Sequence, residues 1–317
     1  MNENIVDESN IGLVGGIAGK VFTDFLLVHE NGDIDMRRNA ESQLDIIGEG
    51  ILRMDDFSFE KGISGIGWMI EYFAQNQLLA INSDEILEEV DDNIYKYTLN
   101  CVAKSEIDIL EALGLVNYHQ IRRKSQNAES HFYRKFIHSE CLRLLSDKLN
   151  TYLLSKIVEL EEGKELALND LGIMTKVVGN FSYLMISIMN EKLLQESFYK
   201  AVELLIIYYQ RFIDKINGSD QKVLPYCENC LLLLLAVKQY DNPYWIEKVE
   251  ELYFALKGKL SVEQFTDSLY YQKLMSIEEV YIDSAFDNNR LIELIETAPE
   301  LLVFYLNNYK LFTINGS

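Results

Sequence analysis

Apolar residues recur at spacings of three and four through most of the chain. Ile86, Val90, Ile94 and Tyr97 form one such stripe, with Glu88, Glu89, Asp91 and Asp92 on the remaining faces, the pattern of an amphipathic helix. Asn82, followed three residues later by Glu85, supplies a start signal in which each side chain can satisfy a free amide of the first turn. Equivalent stripes run through Leu142, Leu145, Leu149 and Leu153, through Val202, Leu205, Ile206 and Tyr209, and through Val249, Leu252 and Leu256, with Lys257 closing the last turn. The run from Leu231 to Val237 is far shorter than the roughly 20 residues needed to cross a bilayer and predicts a buried helix. No alternating segment flanked by hairpin turns interrupts this series, and the NGD at Asn31 and NGS at Asn217 fall between helical patterns. The pattern predicts an all-α chain.

A longer period lies over the short one. Small or glycine-rich starts of apolar segments occur at Gly12–Gly19, Gly62–Trp68, Leu113–Tyr118, Leu171–Ile173, Tyr226–Cys230 and Phe286–Asn289. Starting points near 12, 62, 114, 172, 227 and 286 differ by 50, 52, 58, 55 and 59 residues. Each unit has room for two helices of about 15 residues and their connections, so the repeated object reads as a helical hairpin, six times over, arranged as a ring or solenoid. Glycines heading the first helix of each hairpin let backbones approach closely.

Charge then narrows the partners. With 29 basic and 50 acidic residues the net charge is −21, which opposes binding to nucleic acid or to an anionic membrane surface and leaves cationic or neutral partners open. The polar, acidic start MNENIVDESN lacks the features of a secretory signal. Cys101, Cys141, Cys227 and Cys230 are then expected as reduced thiols in a cytoplasmic protein. Asp91-Asp92 and Glu278-Glu279 are candidate carboxylate pairs, but adjacent helical residues diverge, and a solvated face is the expected role in so acidic a chain. Arg122-Arg-Lys-Ser-Gln reads as a basic, exposed segment, with His131 and His138 near it. No phosphate loop, HExxH or GxSxG motif is present.

The segment FEKGISGIGWMIEYF at 59–73, the stretch ILEEVDDNI at 86–94 and the opening GLVGGIAGKVFTDFLL at 12–27 resemble the lanthionine synthetase C-like family, in the variant found in Bacteroidetes-type peptide-maturation systems. The resemblance covers about the first third of the chain. It implies an α/α toroid, a double ring of helical hairpins, and a cyclase that adds a peptide thiol to a dehydrated residue with the help of zinc. In the family two cysteines and a histidine hold the metal. Tyr226-Cys227 resembles the Trp-Cys dipeptide carrying the first ligand, but Ala285–Asn289 stands where a Cys-His-Gly tripeptide is expected, and no Cys-His pair exists in the chain. Cys227 and Cys230 form a CxxC that offers two ligands where a catalytic zinc takes about three and a structural one four. Two thiols on a buried helical face are therefore the preferred reading, and zinc at this pair the alternative.

These observations set the expectations. A flexible segment 1–10 precedes a single toroid domain over 11–317 whose ring is either closed or incomplete. The chain is a cyclase-like protein that has lost the zinc site and serves as a peptide-binding or scaffold protein, with a divergent thioether-forming cyclase or another α/α-toroid enzyme as the alternative. Its partner is a ribosomally made peptide or a peptide-maturation enzyme. Tyr72, Tyr118, Tyr183 and Tyr226, near the starts of successive inner helices, are candidates for lining a peptide cavity.

Overall fold

The computed structural model describes residues 10–125, 132–187, 192–216 and 223–260. Among them every regular element is a helix: α1 (Ile17–Asn31), α2 (Ile34–Ile51), α3 (Ile63–Gln75), α4 (Ser83–Ile86), α5 (Glu88–Ala103), α6 (Ile109–Arg123), α7 (Phe132–Glu161), α8 (Leu168–Ser187), α9 (Lys192–Lys215), α10 (Val223–Tyr240) and α11 (Pro243–Lys257). The expected all-α class is what the chain adopts. Two compact units are formed, one running to Lys148 and the other starting at Leu149. Residues 1–9 and the sixth expected unit, with Ala285–Asn289 and Glu278-Glu279, lie outside the described residues.

The helices alternate in character. In α3 every residue from Ile63 to Phe73 is buried, whereas α2 buries only Ala40, Ile47 and Ile51 and α5 only Val90, Ile94, Thr98 and Cys101. A helix that is apolar on all sides must lie inside the protein, and one with a single apolar stripe must cover it. In the first unit α1 packs on α2 and α3, and α3 packs on α5 and α6. Phe22 and Phe25 of α1 meet Trp68, Tyr72 and Phe73 of α3, with Phe22 stacked on Phe73 at 5.5 Å between ring centroids. In the second unit α10 packs on α8 and α11, and α9 on α8 and α11. Leu231, Leu233, Leu234 and Val237 of α10 are fully buried, as the run of leucines predicted.

Local signals account for the helix ends. Gly32 takes the left-handed conformation at φ 67° that ends α1, and Asp33 caps α2 by accepting from the amides of Asp35 and Met36. The NGD thus joins two helices. Asn82 accepts from the amide of Asp84 as expected, but Glu85 accepts from the Asn82 side-chain amide and not from a backbone amide, and the helix stops at Leu87, so the expected single helix is the short α4 followed by α5. Ile86 is consequently exposed, not part of the buried stripe.

Three of the presumed helix starts are not starts. Gly114, Gly172 and Cys227 lie inside α6, α8 and α10. Asp108 opens α6, with its carboxylate accepting from the amides of Leu110 and Glu111. The glycines act through contact instead. A side chain on Gly65 would fall on the Phe59 carbonyl, one on Gly114 would come 2.9 Å from Phe59 Cβ, and one on Gly67 would come 2.6 Å from Tyr118 Cε2. The segment around Phe59 is therefore pressed against α3 and α6 at positions where only glycine fits.

Two glycines give opposite expectations. Gly65→Ala forces the Phe59 backbone aside and should destabilise the protein by about 2–4 kcal/mol. Gly48, exposed in α2 with nothing within 4 Å of its added carbon, should gain about 0.5–1 kcal/mol on conversion to Ala. Urea midpoints of the two variants measure both, and equal midpoints would contradict the close-approach role of Gly65.

Candidate functional site

Glu71 is the only charged residue in the fully buried stretch of α3. A carboxylate there requires a cation and hydrogen bonds, because an unpaired buried charge costs several kcal/mol. The register of α3 against α6 supplies them. Gly67 admits the ring of Tyr118, and one turn further on each helix Glu71 accepts an ion-paired hydrogen bond from Arg122 Nη1. Another turn along α3, Gln75 donates to Glu71 Oε1 at 2.6 Å and to the Ile121 carbonyl at 2.9 Å.

Arg122 gathers the rest of the site. Its Nε and Nη2 donate to the two oxygens of Asp91 on α5 at 2.9 and 2.6 Å, and Nη2 also donates to Asp84 Oδ1 on α4 at 3.0 Å. The planar guanidinium suits this task, because its fixed fork matches a carboxylate in two-point fashion. Tyr118 donates to Asp91 Oδ1 at 2.5 Å, and Ser125 to Asp84 Oδ1 at 3.3 Å. From α7, Arg134 donates to the Asp84 carbonyl at 2.6 Å and to Glu88 at 3.0 Å, and its Nη1 lies 3.6 Å from Asp91.

A second branch runs through two buried histidines. Thr98 Oγ1 lies 3.0 Å from His119 Nε2, His119 Nδ1 lies 2.9 Å from His138 Nδ1, and His138 Nε2 lies 3.5 Å from Asp91 Oδ1. An ionised Asp91 can only accept, which favours the His138 proton on Nε2. His138 Nδ1 then accepts from His119 Nδ1–H, and His119 Nε2 accepts from the Thr98 hydroxyl. Every group in the chain is satisfied with both rings neutral.

The electrostatics agree with that assignment. Burial, followed by the Arg122 charge among other effects, pushes His138 down to about 4, although Asp91 and Asp84 pull the other way. Burial and the neighbouring His138 hold His119 well below the usual range. Burial works against the charge of Asp91, but the hydrogen bond and charge of Arg122, with help from His138 and Tyr118, overcome it and hold the carboxyl below its ordinary value. Burial and Asp91 push the Tyr118 hydroxyl up. Asp91 is thus ionised and fully occupied by donors. The geometry makes this cluster a brace tying α3, α4, α5, α6 and α7, in which Asp84 Oδ2 is buried without a hydrogen-bond partner among the described residues.

The expectations for this region change accordingly. Arg122 is 2% exposed and His138 4%, so the segment read as basic and exposed turns its first arginine into the core, while Arg123 is half-buried and Lys124 exposed. Asp91 points inward and Asp92 outward, which bears out the divergence expected of adjacent helical acids and corrects the solvated role expected of Asp91. One signal could have located the site: a lone Glu in the apolar run GWMIEYF, and Tyr118 and Arg122 one helical turn apart.

The other candidates fall in separate places. In the first unit Tyr72 is buried in the aromatic cluster with Phe22 and Trp68, and its hydroxyl has no partner among the described residues. Tyr118 belongs to the brace. In the second unit Tyr183 is buried, and Tyr226 stacks on Phe212 with centroids 3.7 Å apart. Cys227 and Cys230 lie one turn apart on α10, fully buried and without a disulfide, as are Cys101 and Cys141. Cys230 Sγ faces the Val249 carbonyl at 4.0 Å, and burial together with Cys227 pushes its thiol well up. Such surroundings favour the thiol over the thiolate that a zinc ion takes.

Removing the arginine tests the brace. Arg122→Met strands Glu71 and Asp91, and should lower stability by about 3–5 kcal/mol; Arg122→Lys should recover only part, since one ammonium cannot reproduce the fork. Chemical denaturation reads both, and a Met variant within about 0.5 kcal/mol of the native protein would rule the brace out. The histidines give a pH signature. His138 titrates near 6.5 when unfolded and about 4 when folded, so its contribution is fully present above about 6.5 and is lost as pH falls towards 4. The unfolded chain binds the proton more readily in that window, and the total is about 3 kcal/mol. In His138→Gln the fall in stability between those pH values should flatten; an unchanged slope would contradict the neutral buried ring.

No family model, no curated protein and no solved structure matches this chain.

Proposed function

We propose that the chain is a toroid-like relative of the lanthionine cyclases that works without their zinc chemistry, binding a ribosomally made peptide or a peptide-maturation enzyme as a scaffold. The observation that carries this reading is the alternation of more deeply buried and one-faced helices in successive pairs. The more deeply buried members α1, α3, α6, α8 and α10 span or follow within a few residues the repeat points at 12, 62, 114, 172 and 227. The glycines that carry the resemblance sit at real close approaches, Gly65 and Gly67 in particular. A metal-free role is supported by the thiols of Cys227 and Cys230, which face the helical core, and by the departure from Cys-His-Gly in the sequence. Four cysteines without a disulfide fit a reducing compartment, hence the cytoplasm. No described helix is long and apolar enough to cross a membrane.

A net charge of −21 selects among peptides. An acidic surface accelerates and stabilises association with a basic partner and repels an acidic one, and the effect weakens with salt. Fluorescence anisotropy of a labelled basic peptide and of an acidic peptide of equal length tests the reading. The basic peptide should bind at least tenfold more tightly at 50 mM salt than at 300 mM, and the acidic peptide should not bind. Absence of any basic-peptide binding would overturn the proposal. So would stoichiometric zinc that disappears in Cys227→Ala together with thioether formation on a dehydrated peptide.

A further inference from the structure

The second unit carries an aromatic cluster that reaches the surface. Phe198 and Tyr199 of α9, Tyr240 at the end of α10 and Trp245 at the start of α11 lie with all ring centroids within 6.0 Å of one another. Phe198 is fully buried and Trp245 is 5% exposed, and together they form the floor. Tyr199 is 40% exposed, Tyr240 is half-buried, and Tyr244 beside Trp245 is 58% exposed. Tyr199 stands 72° to Tyr240 and 67° to Trp245, while Tyr240 and Trp245 are inclined by only 36°. The two accessible rings, Tyr199 and Tyr240, therefore stand nearly at right angles above the buried Trp245. The hydroxyls of Tyr199 and Tyr240 are hydrogen-bonded to each other, which fixes both rings.

A carboxylate stands beside these rings. Glu203, one turn after Tyr199 on α9, is exposed and accepts the indole N–H of Trp245 at 2.7 Å. No cation pairs with it among the described residues. Lys200 pairs with Glu161 at 2.7 Å and Lys248 with Glu251 at 2.7 Å. Asp241, directly after Tyr240, is exposed and likewise lacks a cation. Aromatic faces beside an uncompensated carboxylate attract a cation that can also stack: the ring quadrupole favours the charge, and a planar guanidinium can lie flat on a ring while donating to the acid.

We propose that Tyr199 and Tyr240, with Glu203 held in place by the buried Trp245 indole, form a docking surface for an arginine side chain of a basic peptide partner. The inference rests on the peptide-binding reading above and adds to it the chemical group recognised and the place of recognition. It makes arginine the anchor, because the site combines a ring face with a carboxylate acceptor. Ile207, 43% exposed one turn beyond Glu203 on the same face of α9, provides an apolar neighbour for the residue next to that arginine.

The test uses the full chain and three labelled peptides of one sequence, containing two arginines, two lysines or two citrullines. Citrulline keeps the shape and hydrogen-bonding plane of arginine but removes the charge. The arginine peptide should bind about fivefold more tightly than the lysine peptide and at least tenfold more tightly than the citrulline peptide. It should also perturb the emission of Trp245 in a Trp68→Phe background. Tyr199→Leu with Tyr240→Leu keeps an apolar patch without the π faces, and Glu203→Gln keeps the indole hydrogen bond without the charge; each should weaken arginine-peptide binding about fivefold or more, with unchanged helical circular dichroism. Native-like binding by both variants would overturn this surface and leave the peptide-binding reading intact. Failure of the native protein to bind the arginine peptide would overturn both.

Discussion

Glu71 sits in the middle of a helix that is buried on every side, and the first unit is organised around that constraint. An ionised carboxylate among Trp68, Met69, Ile70 and Phe73 can persist only if a cation reaches it without bringing water. Arg122 does so from the neighbouring helix, but a buried guanidinium has five donors to satisfy, and one carboxylate cannot satisfy them all. Asp91 and Asp84 complete the set. Their excess negative charge is in turn met by Arg134 and by the hydroxyl of Tyr118. One polar residue at one apolar position thus fixes the relative placement of several helices, through hydrogen bonds whose directions tolerate little slippage.

The glycines and the ion cluster are two parts of one arrangement. Gly67 allows the Tyr118 ring to lie against α3, and that approach brings Arg122, one turn later, within reach of Glu71. A larger residue at 67 would separate the helices where the charges need them close. The glycine-rich signature of the sequence is therefore connected to electrostatics through packing. In the second unit α8, α9, α10 and α11 meet mainly through leucine, valine and aromatic side chains, with polar links such as Ser182 to Gln239 and Trp245 to Glu203.

The peptide-binding reading and the arginine-docking surface draw on different properties. The first rests on the order and character of the helical pairs and on a strong overall negative charge, which acts at long range and selects partners by sign. The second rests on a few rings and one carboxylate, which act only at contact and discriminate between cations. A field that gathers basic peptides and a surface that holds one side chain are complementary, since attraction by charge alone gives little orientation.

Helical character and most members of the buried stripes were legible in the sequence, because spacing at three and four positions decides which residues share a face, although Ile86 fell outside its stripe once the helix broke at Leu87. Leu142, Leu145, Leu149 and Leu153 were assigned to the core from that spacing alone, and all four are fully buried. The cap at Asn82 and the turn at Gly32 were equally readable, since both depend on neighbours within a few residues. The direction in which Asp91, Arg122 and His138 point was not readable. Each is a charged or titratable residue whose default place is the surface, and its burial depends on partners 31 to 51 positions away in the case of Arg122. Likewise Gly114 looked like a helix start until the Phe59 segment was seen to press against it. Local chemistry determined the elements, and only tertiary proximity, by removing water and supplying opposite charge, decided which polar groups belong inside.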